Sequence, residues 1–205
     1  MPSAHRVRLG KAAGDERCWL RNVDEAIDRA RLQTLIARAH RAQTQDLAVR
    51  AELAAWSGHD GGRPDGVPLT ASGPRPEPQD EWLLRDFGGE AGRARTPGKD
   101  FESSPLILVL QSYSDGPAEQ VQAGQALQRV LLTVTSLGLS ASLISQPIEV
   151  AAIRGELRRM LGSHLTPQAV LRVGYGSSVR PTPRRPITDL VVPAIEGDPV
   201  CAPRI

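Results

Sequence analysis

The run Leu106-Ile-Leu-Val-Leu110, bounded by Pro105 before it and by the turn-like Ser114-Asp-Gly-Pro117 after it, constrains the fold more than any other segment. A strand with one wet face alternates apolar with polar residues, whereas an unbroken apolar run needs cover on both faces. This segment therefore predicts a fully buried strand. Downstream, Val121, Leu127, Val130, Leu131, Val134 and Leu137 form one broad stripe over about residues 118–137, and Gly138 stands where a left-handed C-terminal residue is wanted. The small residues Ala123, Gly124 and Ala126 permit close packing of that helix. Residues 139–145, with Leu139, Ala141 and Leu143 on alternate positions, predict a short strand that Pro147 stops. A further helix over about 150–161 turns Ile153, Leu157, Met160 and Leu161 inward and Arg154, Arg158 and Arg159 outward, and residues 169–176 read as another strand. Strand, helix, strand, helix, strand in close succession predicts a mixed or parallel sheet covered by helices, an α/β or α+β layer fold.

Upstream, Ile27, Leu32, Leu35, Ile36 and Ala39 recur at helical spacing from Asp24 to about Gln43. Thr44 and Asp46 offer caps for a second short helix carrying Leu47, Ala51, Ala54, Ala55 and Trp56, so two helices meet at a corner. Between Gly58 and Gly98 stand nine Gly and six Pro, which excludes long regular elements. Val67, Leu69, Trp82, Leu83, Leu84 and Phe87 punctuate that stretch, and a free linker has no reason to expose so many large apolar groups. It reads as a long excursion pinned onto a core.

A 40% apolar content over 205 residues suffices for one domain with a core, and a net charge of +2 demands no polyanionic partner. Cys18 and Cys201 lack any metal or disulfide pattern, and His5, His40, His59 and His164 are scattered, so no metal site or catalytic triad is read. His40, after an apolar stripe, reads as a structural histidine. The opening residues carry positive charge without an apolar stretch behind them, and no run is long enough to span a bilayer, so the expected location is the cytoplasm. Charge is uneven, however: residues 154–185 hold seven Arg and one acid, Glu156. Arg184 and Arg185 lie between Pro183 and Pro186, whose stiffness lowers the entropy cost of presenting a guanidinium to a phosphate. Only Tyr175 supplies an aromatic near these charges, which argues against a nucleic-acid surface. The turn Ile144-Ser145-Gln146, where a strand gives way to a helix, is the second candidate, because such turns present backbone donors to cofactors.

The segments AGQALQRVLLTVTSLGLSASLISQPIEVAAIRGELRRMLG, AVLRVGYG and TPRRP, together with IARAHRAQ, AVRAELAAW and DGVPLTASGPRPEP upstream, resemble the nitroreductase-like proteins, in particular their actinobacterial dormancy-associated branch. The resemblance covers about residues 28–192, mainly as the C-terminal half of such a protein, with a divergent segment before it and a tail at 193–205. It implies an α+β nitroreductase-like fold, a mixed sheet flanked by helices and incomplete at the N-terminus. It also implies FMN held at a homodimer interface, passing electrons from NAD(P)H to nitro compounds or quinones. Carried over residue by residue, Ile144, Ser145 and Gln146 take the place of the turn near the flavin ring. Gln146 stands where relatives have Gly, and its Cβ can obstruct close approach of the backbone. Arg184 takes one place of the phosphate-binding basic pair, Thr182 the other, and Arg185 is a substitute. The N-terminal phosphate and ring contacts of the family have no counterpart before residue 28. The alternative implied by these departures is a noncatalytic, stress-associated relative that sequesters flavin.

Overall fold

In the computed structural model, the residues described are 1–59, 64–77, 80, 82, 85–92, 94, 105–176, 182 and 184–191. The apolar run forms strand β4 (Leu106–Ser112), buried along its whole length. Its alternate residues serve two cores. Leu106, Leu108 and Leu110 pack on one side with Leu9, Ala12 and Ala13 of helix α1 (Ser3–Gly14) and with Ala123, Ala126, Val130 and Val134 of helix α4 (Pro117–Ser136). Ile107 and Val109 pack on the other with Leu32, Leu35, Ile36 and Ala39 of helix α2 (Ala26–Gln45) and with Ile153 and Leu157 of helix α6 (Ala151–Met160). The absence of alternation in the sequence thus records helices on both faces.

The sheet is four-stranded in the order β1-β4-β6-β5, with β1 at Trp19–Asn22, β5 at Ser140–Leu143 and β6 at Thr166–Gly174. Every neighbouring pair in it is antiparallel. The parallel relation expected from the strand-helix-strand order is that of β4 to β5, which α4 connects; β6 fills the gap between them and pairs antiparallel with both. The register sets Leu108 opposite Leu171 and Leu143 opposite Leu171's other edge, with an irregularity at Leu110/Gln111. Two glycines close helices in the left-handed region, Gly138, which the sequence marks for that role, at φ 68° after α4 and Gly162 at φ 60° after α6. Among the described residues, no helix is long and apolar enough to cross a membrane.

Helix α1 and strand β1 precede residue 28, and both contribute to the core of the sheet: β1 pairs with β4, and Leu9 is fully buried. Three expectations about single residues are corrected. Ile27 and Val121 belong to their helical periods but lie outward, at 61% and 67% exposure. On β5 the alternation fails, since Leu139 is buried just before the strand while Ala141 and Leu143 face out from a sheet edge. Arg154 is not outward: its guanidinium donates to both carboxylate oxygens of Asp115 at 2.8 Å and, through Nε, to the Pro167 carbonyl at 2.8 Å, tying α6 to the start of α4 and to β6.

Between Gly58 and Gly98, the chain meets the core at Trp82. Trp82 is buried in the α2/α6 core, with the Arg29 guanidinium 5.0 Å from its ring centroid, and Arg29 also donates to the Pro105 carbonyl. Leu83, Leu84, Pro183, Arg180, Cys201 and the 193–205 tail lie outside the described residues. Cys18 is buried. Truncating Leu9 to Ala is expected to cost about 2 to 5 kcal/mol, the usual range for an aliphatic side chain removed from a packed core. Urea unfolding checks this: an unchanged midpoint would mean that the first residues are an appendage to the domain.

Candidate functional site

Strand β5 ends where the Ile144 N–H donates to the Val170 carbonyl, 2.9 Å away. The Ser145 carbonyl then accepts from the N–H groups of Ile148 and Glu149, which starts the short helix α5 (Gln146–Glu149) with Pro147 in its first turn, where a missing N–H costs nothing. The outcome for the three turn residues differs. Ile144 is fully buried in the α2/α6 core, Gln146 is 1% exposed, and Ser145 alone is half-buried and open to solvent.

Around this turn lies a polar cluster that no local pattern announces. The Glu149 carboxylate accepts from Gln43 Nε2 at 2.5 Å and from Arg85 Nη2 at 2.6 Å, while Arg85 Nη2 also donates to Gln43 Oε1 at 3.0 Å. Helix α2, the excursion and α5 therefore close on one carboxylate. Burial pushes the Glu149 carboxyl up, but the bonds from Arg85 and Gln43 outweigh it and hold the group below its ordinary value. One turn earlier on α2, His40 is pushed down by burial and then by the charge of Arg85, so it is neutral at neutral pH, in keeping with a structural role.

Glu149 also lines a groove of about 700 Å³. One wall is helix α3 (Leu47–Trp56), which starts where Asp46 Oδ1 accepts from the N–H groups of Ala48 and Val49. Thr44, the other cap candidate, instead donates to the Arg41 carbonyl. Helix α3 buries none of its residues; Val49, Leu53 and Trp56 flank the groove, with Phe87 and Val150 across from them. Beyond Trp56 the chain makes the short strand β2 (Ser57–His59), parallel to β3 (Val67–Pro68). Gly66 precedes β3 at φ 82°, and a Cβ there would collide with the Trp56 carbonyl, so glycine fixes how closely the excursion returns to the end of α3. A second cavity, of about 520 Å³, holds Arg6 and Arg29, which are engaged by Asp24 and by the Pro105 carbonyl.

The arginine pair stands elsewhere. Arg184 is exposed and donates to the Thr182 carbonyl and hydroxyl at 3.1 and 2.7 Å. Arg185 is held by Asp65, Nε to Oδ1 at 2.5 Å and Nη2 to Oδ2 at 2.6 Å, which ties the C-terminal stretch to the excursion. Set against a flavin, two of the five candidate residues fit and three do not. Ser145 and Arg184 can be reached from solvent, Ile144 and Gln146 cannot, and Arg185 already faces a carboxylate. These residues do not fit a flavin cradle that one chain completes alone.

Sequence reading found the turn but missed Gln43, Arg85 and Glu149 as a cluster, and Trp56 and Phe87 as groove walls. An acid in the first turn of a Pro-started helix was the one available signal for Glu149. Arg85 had none, since it lies 42 residues from Gln43 and 64 from Glu149 along the chain.

No protein-family model matches the chain. It is 32% identical over 166 residues to the Mycobacterium tuberculosis (strain H37Rv) protein named "Putative NAD(P)H nitroreductase Rv3131", an alignment covering 78% of this chain and 48% of that protein. It is 31% identical over 149 residues to "Putative NAD(P)H nitroreductase acg" of the same organism, covering 71% and 44%. The chain thus spans about half the length of the curated relatives it matches. Among solved structures, an FMN-bound nitroreductase from Desulfitobacterium hafniense DCB-2 is similar with a TM-score of 0.53 at 15% identity, covering 94% of this chain and 87% of that one. An iodotyrosine deiodinase bound to FMN and 3-iodo-L-tyrosine is similar with a TM-score of 0.56 at 14% identity, covering 91% and 85%. At those identities the likeness is one of fold.

Because the folded-state carboxyl of Glu149 is lowered, its bonds contribute stability above the unfolded carboxyl value of roughly 4.3 and lose it as pH falls through the folded value. The group is partly exposed, which screens the contribution to about 1 kcal/mol. Glu149→Gln should therefore lower stability by about that amount at pH 7, with the gap to the parent chain closing as pH drops below about 4. Urea titrations at stepped pH measure it, and a gap independent of pH would detach the carboxylate charge from the clasp.

Proposed function

The chain belongs to the nitroreductase-like family, and on that premise we propose that it contributes one half of an FMN-dependent site at which NAD(P)H reduces nitro compounds or quinones in the cytoplasm. A second copy of the chain supplies the remainder. The observation that carries the reading is the clasp of Gln43 and Arg85 on Glu149: α5, which opens on the turn assigned to the flavin by family resemblance, holds that carboxylate in an aromatic-walled groove able to receive an acceptor. The chemistry the bound flavin supplies is acceptance of a hydride and its onward delivery as electrons, so this chain needs no acid or base of its own for that step. Its tasks are to position the ring edge through the accessible Ser145, to meet the phosphate with Arg184, and to wall the groove.

Exposed apolar residues support the homodimer. Leu47 on α3, Leu132 on α4 and Leu143 on β5 are each more than half exposed, and such surface on a soluble chain is most economically covered by a second copy.

The burial of Gln146 favours a second reading, in which flavin is sequestered without turnover. A side chain in place of glycine, with the turn backbone drawn into the core, keeps donors from the reactive edge of a ring while leaving the phosphate contact in place.

Titration with FMN, followed by anaerobic NADPH or NADH, separates the readings. Binding with bleaching of the flavin band is the expected result; binding without bleaching supports sequestration, and no binding at tens of micromolar by a dimer defeats both. Arg184→Ala should weaken FMN binding about tenfold or more, as loss of a charge-assisted bond to phosphate does. Equal affinity would remove that arginine from the site.

A further inference from the structure

The groove beside α5 sorts its surface by charge. Among the described residues that line it, Val49, Leu53, Trp56 and Phe87 give apolar and aromatic walls, while Asp46, Glu52 and Glu149 set three carboxylates around those walls against one guanidinium, that of Arg85. Arg85 is committed to Glu149 and Gln43, and the cap bonds made by Asp46 leave its charge in place. His40, behind Gln43 on α2, is neutral at neutral pH and adds no counter-charge. Among the described lining residues, a surplus of two negative charges thus surrounds an aromatic slot large enough for a small planar molecule.

We propose that this groove binds planar aromatic molecules bearing no negative charge, and that its acidic lining turns away aromatic anions of the same shape. A ring carrying positive charge gains attraction to the faces of Trp56 and Phe87 and to the surrounding carboxylates. A ring carrying a carboxylate meets repulsion instead, and it can recruit Arg85 only by breaking that residue's bonds to Glu149, which leaves a partly buried acid unpaired. That the occupant is the electron acceptor rests on the function proposed above. Selection by charge is a property of the groove itself and stands or falls separately.

The probes are 1-methyl-4-nitropyridinium and 4-nitrobenzoate, which share a nitro-substituted six-membered ring and differ in the sign of their charge. Calorimetric titration of the full chain at low ionic strength, without FMN or reductant, should find the pyridinium bound about tenfold or more tightly than the benzoate. Glu52→Lys, at an exposed rim position outside both cores, should shrink that ratio to about threefold or less, and added salt should shrink it in the parent chain. Equal affinities in the parent chain, an unchanged ratio in Glu52→Lys, or no binding of either probe would overturn the proposal. Because neither FMN nor NADPH enters this titration, its failure leaves flavin reduction untouched, and a failure to bind FMN leaves the charge selectivity measurable.

Discussion

The pairing of β4 with β6 under helices on both faces is the constraint from which the other features follow. Leu106, Leu108 and Leu110 point into one core and Ile107 and Val109 into the other, so neither face of the strand can be wetted without opening a core. Helices α1 and α4 must cover one side, α2 and α6 the other. Since α4 returns the chain to the far side of β6, β5 is left at an edge, and the turn that follows it emerges beside the C-terminal half of α2. Glu149 meets Gln43 for that reason. The site is a consequence of layer order.

What the sequence made legible was what periodicity could carry. The buried strand, α4 and α6 declare themselves through runs and stripes of large aliphatic residues, and the end of each helix through glycines that a left-handed backbone requires. Helix α1 escapes because its buried face is Leu9, Ala12 and Ala13, and alanines mark a face only weakly. Strand β1 escapes because Trp19-Leu-Arg-Asn22 is too short to show a period. Where periodicity misled, position in the layers explains it. Val121 follows the stripe of α4 but lies outward in its first turns, and Ala141 and Leu143 alternate on an edge strand, where both are exposed. Arg154 was misread because a charged residue beside an apolar stripe is usually solvated, whereas here Asp115 and the Pro167 carbonyl draw it back.

The site was legible in its local half only. Ser145 and Gln146 sit at a strand-to-helix turn that any reading of α/β architecture would notice, yet the charge chemistry beside them is assembled from Gln43, Arg85 and Glu149, far apart in the chain. Arg85 arrives through an excursion whose Gly and Pro content reads as structureless. That excursion is held at three places by different physics: Trp82 by burial, Arg85 by a charge-assisted clasp, and Asp65 by its pair with Arg185. Only the first leaves a trace in a single sequence, as a tryptophan where no linker needs one.

The clasp also bears on how the groove keeps its width. Helix α3 buries nothing of its own, so its position rests on the Asp46 cap, on the junction with α2, and on the return of the excursion at Gly66 beneath the Trp56 carbonyl. A helix this poorly covered would otherwise collapse onto the nearest apolar surface, and Phe87 and Val150 line the same groove. Collapse would bring Asp46 and Glu52 toward Glu149, and the mutual repulsion of the carboxylates opposes it while Arg85 stays bonded to Glu149 and Gln43. The acidic lining can thus act twice, holding the walls apart and setting the charge of what enters between them.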